Sequence, residues 1–286
     1  FVAPLLKRYG FGATFFVTEG LGYQGNEQHW ITWEEIRKLH EMGFEIGNHT
    51  GSHPNLAQLS KEEIIAEVKQ IERACEEHGV PKPTTLGYPG GFHDHKSVEA
   101  LDERGYLFAR RGRYPEYPVN IHGGRGPVYD PQLDHPLLVP AAYVWGDRGQ
   151  YQDMVDMVDL ARDGKIAVFV FHGVPDFYPH CSTAPVVFER FLKYLHDQGC
   201  TVIALRDLAK YIDPARRPAD PYEPIRRRLV TPVQLKCEYA VNPLGVDVAQ
   251  PRFSWILESS ERGQIQSAYR ILVTSNKQNL KLGTAD

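Results

Sequence analysis

The sequence predicts an α/β protein built on a parallel sheet, open or closed into a barrel, with a truncated β-sandwich segment at its C-terminus. Three observations predict it. Residues 1 to about 212 alternate short apolar runs with helical patterns, at the length of βαβ units. Residues 166–171 (IAVFVF) are apolar throughout, as expected of a strand buried on both faces. Beyond Ile212 the chain becomes Pro- and charge-rich, then turns to β-branched and aromatic runs punctuated by Pro and Gly.

The elements follow in order. Val2, Leu5 and Leu6 read as helix before Tyr9-Gly10, and residues 14–17 (TFFV) as a strand. Thr32 and Glu35 form a capping box that opens a helix; residues 44–47 (FEIG) are strand-like again. Ser60 and Glu63 form a second capping box, starting a long helix whose Ile64, Val68, Ile71 and Cys75 share one face and which ends near His78-Gly79. Then come strand at 85–86, helix at 96–104, strand at 107–109, helix around 154–161, the strand at 166–171, helix at 186–196, strand at 201–205 and a last helix to about Tyr211. Residues 111–150, rich in Pro, Gly and Tyr, read as a long irregular insertion. We therefore expect a barrel over 1–212, a linker over 213–230 and a partial sandwich over 231–286, the last too short for seven strands.

Composition excludes several function classes. The 286 residues are 42% hydrophobic and 24% charged, with a net charge of −4 and no basic block beyond Arg226-Arg227-Arg228. A nucleic-acid groove is not expected, and no apolar run approaches the length of a membrane span. Cys75, Cys181, Cys200 and Cys237 form no CxxC pair and read as reduced thiols. The chain opens directly on a helix at Phe1 and stops at KLGTAD, so we expect a piece of a longer protein; location and oligomeric state carry no signal.

Chemistry is expected where strands end, at the C-terminal edge of a parallel sheet. His49 and His53, in EIGNHTGSH, follow the strand at 44–47. With 12 histidines in the chain, about half of one such pair is expected by chance, so spacing alone decides nothing. Two further groups stand at the same edge: Tyr88, Pro89, Gly90 and Gly91 after the strand at 85–86, and His172 at the end of IAVFVF. Histidines at i and i+4 on one turn both reach a single ion, and imidazole nitrogen suits zinc. The competing reading has the two histidines bonding a loop backbone and His172 closing a core strand.

Together these motifs resemble the polysaccharide deacetylases, carbohydrate esterase family 4, over residues 1 to about 212. GATFFV is similar to that family's second strand, GFEIGNHTGSH to its histidine metal motif, YPGG to its third motif and VFHG to its fifth. The resemblance implies a distorted (β/α) barrel and a divalent ion, most readily Zn2+, held by His49, His53 and a carboxylate. It implies an acetylated carbohydrate as substrate, an aspartate base, an oxyanion-supporting N–H at Gly90 or Gly91, and His172 as the acid. The family's Thr-Phe-Asp-Asp-Gly motif, source of the base and third ligand, would fall before Phe1, so we expect this chain to bind metal weakly and turn over little. Position 87 is Gly where the motif carries arginine; Arg110 and Arg111 are candidates for the missing charge, and Arg111 is expected to serve catalysis.

Weaker candidates are His93-Asp94-His95, which a helix N-terminus also explains, the Gly-rich stretch 122–126, and Trp30, Tyr143 and Trp145 as stacking surfaces. Residues 242–273 are similar to the opening of the N-terminal fibronectin-like domain of bacterial α-L-rhamnosidases. No glycosidase carboxylate comes with that resemblance. The alternatives are a non-catalytic carbohydrate-binding barrel and an amidase acting on small amides.

Overall fold

The computed structural model describes residues 1–20, 31–112, 128–144, 151–176, 178–228, 231–241, 243, 246–248, 250–258 and 271. Trp30, Trp145 and the stretch 122–126 lie outside them. The chain divides into two compact units, Phe1–Ile225 and Arg226–Asp286.

The first unit opens with α1 (Val2–Arg8), β1 (Thr14–Val17), α2 (Trp33–Glu41), β2 (Glu45–Asn48), α3 (Lys61–Glu77), β3 (Thr85–Gly87), α4 (His95–Glu103) and β4 (Phe108–Arg110). The four strands form one sheet in the order β1-β2-β3-β4. Every pair is parallel. Sequential parallel strands joined by helices are what repeated βα units build. Both capping boxes form: the Thr32 and Ser60 hydroxyls accept the Glu35 and Glu63 N–H groups, and each glutamate reaches back to its cap. Each such cap is worth about 1 kcal/mol. Along α3, Ile64, Val68, Ile71 and Cys75 are all buried against the sheet, as their spacing requires.

Next come β5 (Val128–Tyr129), β6 (Ala142–Tyr143), α5 (Tyr151–Leu160), β7 (Ile166–Ala167), β8 (Phe169–Val170), α6 (Pro185–Asp197) and α7 (Glu223–Arg228). Here the structure corrects the sequence reading. Residues 166–171 are half-buried and broken at Val168. The first half pairs antiparallel with β5 and the second parallel with β6, because residues 128–144 cross the run instead of leaving it to the main sheet. Thus the supposed insertion contributes two short strands. Phe169 and Phe171 pack on Phe191 and Phe188 of α6 at 5.0 and 4.9 Å.

Residues 201–204 are extended but unladdered, and Leu205–Lys210 is a 3-10 segment, not an α-helix. The N–H groups there are taken by side chains: Leu205 N donates to Thr14 Oγ1 and Arg206 N to Glu45 Oε2. Gly12 N donates to Val202 O at 2.9 Å, and a Cβ on Gly12 would meet Ala204 N at 2.8 Å, so this contact requires glycine. The Pro-rich stretch from 213 to 225 lies on the first unit. Arg217 pairs with Asp102 at 2.6 Å, the Tyr222 phenol meets His93 Nδ1 at 2.6 Å, and Ile225 is buried beside Leu137 and Leu138.

In the second unit, β9 (Thr231–Cys237) and β10 (Phe253–Glu258) form an antiparallel pair with an irregularity between Ser254 and Ile256. No helix among the described residues is long and apolar enough to cross a membrane.

Candidate functional site

The histidine turn begins where β2 stops. Thr50 and His53 both adopt left-handed backbone, with φ of 68° and 57°, which folds the chain back so that His53 returns over His49. The ring centroids lie 4.8 Å apart, edge to face. His49 Nδ1 meets the Gly87 carbonyl at 2.5 Å, so Nδ1 carries the proton, and Nε2 is left as the ring's lone-pair nitrogen. Burial pushes the His49 pKa well below its usual value, helped by the Arg110 charge, and burial lowers His53 as well. Both rings are therefore neutral at pH 7, the form in which imidazole binds a metal. A charge on His172 would lower both further.

His172 stands at the end of the broken β7–β8 run, with its side chain 44% exposed. Its Nδ1 meets Asp176 Oδ2 at 2.5 Å, while Asp176 Oδ1 accepts the Tyr178 N–H at 2.7 Å. Ser182 Oγ accepts the Asp176 N–H at 2.9 Å and fixes the loop. A Cβ on Gly173 would lie 2.6–2.7 Å from Asp176 Cβ and Cα, so this fold-back needs glycine there. The imidazole is exposed and is held by a carboxylate with 10% side-chain exposure, so His172 is not a core histidine. Sequence reading missed Asp176; its spacing of four from His172 was the available signal.

The YPGG stretch behaves differently from its expected role. Tyr88 and Pro89 are buried, and the Tyr88 phenol donates to Leu137 O at 3.0 Å, so neither side chain is placed to meet a substrate. Alternation along the strand explains it: Tyr88 continues the inward face of β3. Gly90 and Gly91, with φ of 59° and 77°, form the turn, and the Gly91 N–H is already taken by the Tyr88 carbonyl.

Arg110 and Arg111 also separate by alternation. Arg111 is fully buried, donating to Leu138 O and Gly112 O, and its charge bears on His93, Tyr88 and Tyr222, away from the imidazole pair. Arg110 faces the pair. Its guanidinium lies 5.0 Å from the Phe16 ring, hydrogen-bonds Tyr143, and occupies the space that a side chain at Gly87 would fill. Glycines also clear the room around Tyr143, since a Cβ at Gly91 or Gly112 would meet its hydroxyl at 2.7 or 2.8 Å. Of the two arginines it is therefore Arg110, not Arg111, that faces the histidine pair.

His93 and His95 sit on the opposite side, against Tyr222, and Asp94 caps α4. Among the described residues no group of three or more His, Cys, Asp or Glu side chains is placed to hold a metal. The two neutral imidazoles fit a divalent ion as far as they go; a third donor is needed.

Residues 2–109 match the profile of the polysaccharide deacetylase family, which includes His49 and His53 but stops before His172. Residues 232–285 match that of the Rha78A-like N-terminal immunoglobulin domain. The Bacillus subtilis protein YxkH, assigned to the polysaccharide deacetylases, is 26% identical over 103 residues, 36% of each chain. The Bacillus subtilis peptidoglycan-N-acetylmuramic acid deacetylase PdaC is 36% identical over 90 residues, 31% of this chain and 18% of PdaC. The matched part therefore spans well under two thirds of either relative. A family 4 acetyl xylan esterase from Clostridium thermocellum, solved with a cobalt ion, shares the fold with a TM-score of 0.50 at 19% identity, over 78% of this chain and 87% of that one. Residues 2–109 are thus similar to the polysaccharide deacetylase family, and residues 232–285 to the Rha78A-like N-terminal immunoglobulin domains.

Proposed function

We infer that this chain is the deacetylase part of a carbohydrate-active hydrolase, removing N- or O-linked acetyl groups with the help of a divalent metal, zinc being the first candidate. What supports this reading is the edge-to-face pairing of two neutral imidazoles, His49 and His53, together with an exposed, carboxylate-held His172 at a strand end.

On this reading His49 Nε2 and the His53 ring hold the ion. When bound, it polarises the acetyl carbonyl and acidifies water. The chain's own residues do the rest. The Gly87 carbonyl fixes the His49 tautomer, as outer-shell partners of ligating histidines do. His172, held through Nδ1 by Asp176, directs Nε2–H at the departing nitrogen or oxygen and gives up that proton. Arg110 adds a fixed positive charge beside the imidazoles. Among the described residues no third ligand joins the pair.

The lack of a third donor among the described residues equally favours a second reading, a barrel that binds acetylated glycans without cleaving them. Measurement of zinc content and of acetate release from acetylated xylan, chitooligosaccharide and peptidoglycan separates the two. It is made on the protein expressed from its whole gene. Metal-dependent acetate release is expected; glycan binding with no release establishes the second reading.

A further inference from the structure

The turn that carries His49 and His53 is one that its residues do not favour by themselves. Thr50 is β-branched and fully buried, yet sits at φ 68°, and His53 follows at φ 57°. Such conformations persist only where surrounding groups fix them from several sides.

Those groups form a continuous hydrogen-bonded bracket behind the turn. Asn48, fully buried at the end of β2, accepts the Thr50 N–H through Oδ1 at 2.7 Å. Thr50 Oγ1 in turn accepts the His53 N–H at 3.2 Å. The Asn48 amide nitrogen donates to Val68 O at 2.9 Å and to the Tyr106 phenol at 2.7 Å, so both its donors are used and the amide is locked in orientation. Tyr106, just before β4, donates onward to Glu72 Oε1 at 3.2 Å. Glu72 on α3 is anchored by Arg104 and, at 3.6 Å, by Lys82. Burial and the Glu72 charge raise the Tyr106 pKa, which keeps the phenol protonated and able to serve both neighbours. Three segments distant in sequence therefore meet behind one turn.

We propose that Asn48 and Tyr106 are positioning residues for the histidine pair: the Glu72–Tyr106–Asn48–Thr50 bracket sets the left-handed turn, and the turn aims both imidazoles at one point. The statement about the turn stands on the hydrogen bonds alone; its consequence for metal affinity rests on the metal reading given under Proposed function.

The test is Tyr106→Phe, which keeps the ring and removes only the hydroxyl, with Glu72→Gln as the conservative control that retains an acceptor for the phenol. Amide hydrogen exchange is followed by NMR on the 286-residue chain, and cobalt(II) binding by its visible absorption. Tyr106→Phe is expected to accelerate exchange at Thr50 and His53 at least tenfold, leave Ile71 and Cys75 on α3 unchanged, and weaken cobalt binding at least tenfold, a size typical of lost outer-shell contacts. Glu72→Gln is expected to leave the Thr50 and His53 amides near wild type. Unchanged exchange at the turn, or acceleration spread equally along α3, overturns the bracket; faster exchange with cobalt affinity intact overturns its role in aiming the imidazoles. Should Tyr106→Phe fail to fold, Thr50→Val removes the acceptor for the His53 N–H without a change of shape, and acceleration confined to His53 is then the supporting result and its absence the contrary one. A wild-type chain that takes up no cobalt defeats the metal reading only, and exchange decides the bracket.

Discussion

Gly87 and Arg110 face each other across the β3–β4 ladder, and a Cβ on Gly87 would lie 2.7–2.8 Å from three atoms of the Arg110 guanidinium. One cavity in the sheet face thus holds one guanidinium, and the residue beneath it has no side chain. Gly87→Ala is expected to cost about 1–3 kcal/mol, the usual price of overpacking a core. Shortening Arg110 to Ala in the same chain should recover part of that loss. Urea denaturation of the single and double variants measures it, and additive losses would contradict the shared space.

The two neighbouring arginines should part company in kinetics. Arg110→Gln, which removes the charge facing His49 and His53, is expected to lower kcat in an active form of the protein, with Tm little changed. Arg111→Gln should lower Tm and leave kcat near wild type, since that guanidinium serves the Leu138 and Gly112 carbonyls. Equal loss of kcat in both variants would mean that strand alternation does not divide their roles.

Asp176 holds His172 at 2.5 Å, and amide substitution leaves the shape but not the charge. Asp176→Asn is expected to reduce kcat by on the order of tenfold or more with KM preserved, within the range general acid catalysis supplies. Gly173→Ala, which crowds Asp176 off the imidazole, should reproduce the effect. Nitrogen NMR of the His172 ring checks the cause: the Nδ1–H tautomer should be lost in both variants.

Acid should weaken the fold through buried neutral histidines. Burial carries His135 down to about 4 and His93 to about 3. Folded values below the ordinary one of about 6.5 mean that the unfolded chain binds more protons as pH falls. Stability from these groups is complete above about pH 6.5 and declines as pH drops toward the folded values. His135 Nδ1 accepts the Leu137 N–H at 3.1 Å and cannot do so once protonated. His135→Asn, which caps without titrating, should flatten the fall in urea midpoint between pH 7 and pH 5; an unaltered slope would exclude His135 as a contributor.

Local features were legible in the sequence because their partners are near. The capping boxes at Thr32 and Ser60 and the buried stripe of α3 needed only spacing. The histidine turn was visible as a pair placed at a strand end. What failed depended on a distant neighbour or a one-residue phase. Tyr88 reads as a mouth residue until the phase of β3 turns it inward, and the same phase exchanges Arg110 for Arg111. Asn48, Tyr106 and Glu72 look like ordinary polar positions because the contacts joining them cross 58 and 34 residues of chain. Residues 201–205 have strand composition but lose their ladder to Thr14 and Glu45, whose side chains no periodicity reveals.

The break at Val168 has a bearing on how such a site evolves. His172 rides on two short pairings with residues 128–144, whereas His49 and His53 ride on the four-stranded sheet. His172 and the imidazole pair are therefore mounted on separate platforms. On the proposed deacetylase reading, exchanges of residues beneath one would re-aim it toward a bulkier or differently linked leaving group while the other kept its geometry, so selectivity and ion capture would drift independently within one scaffold.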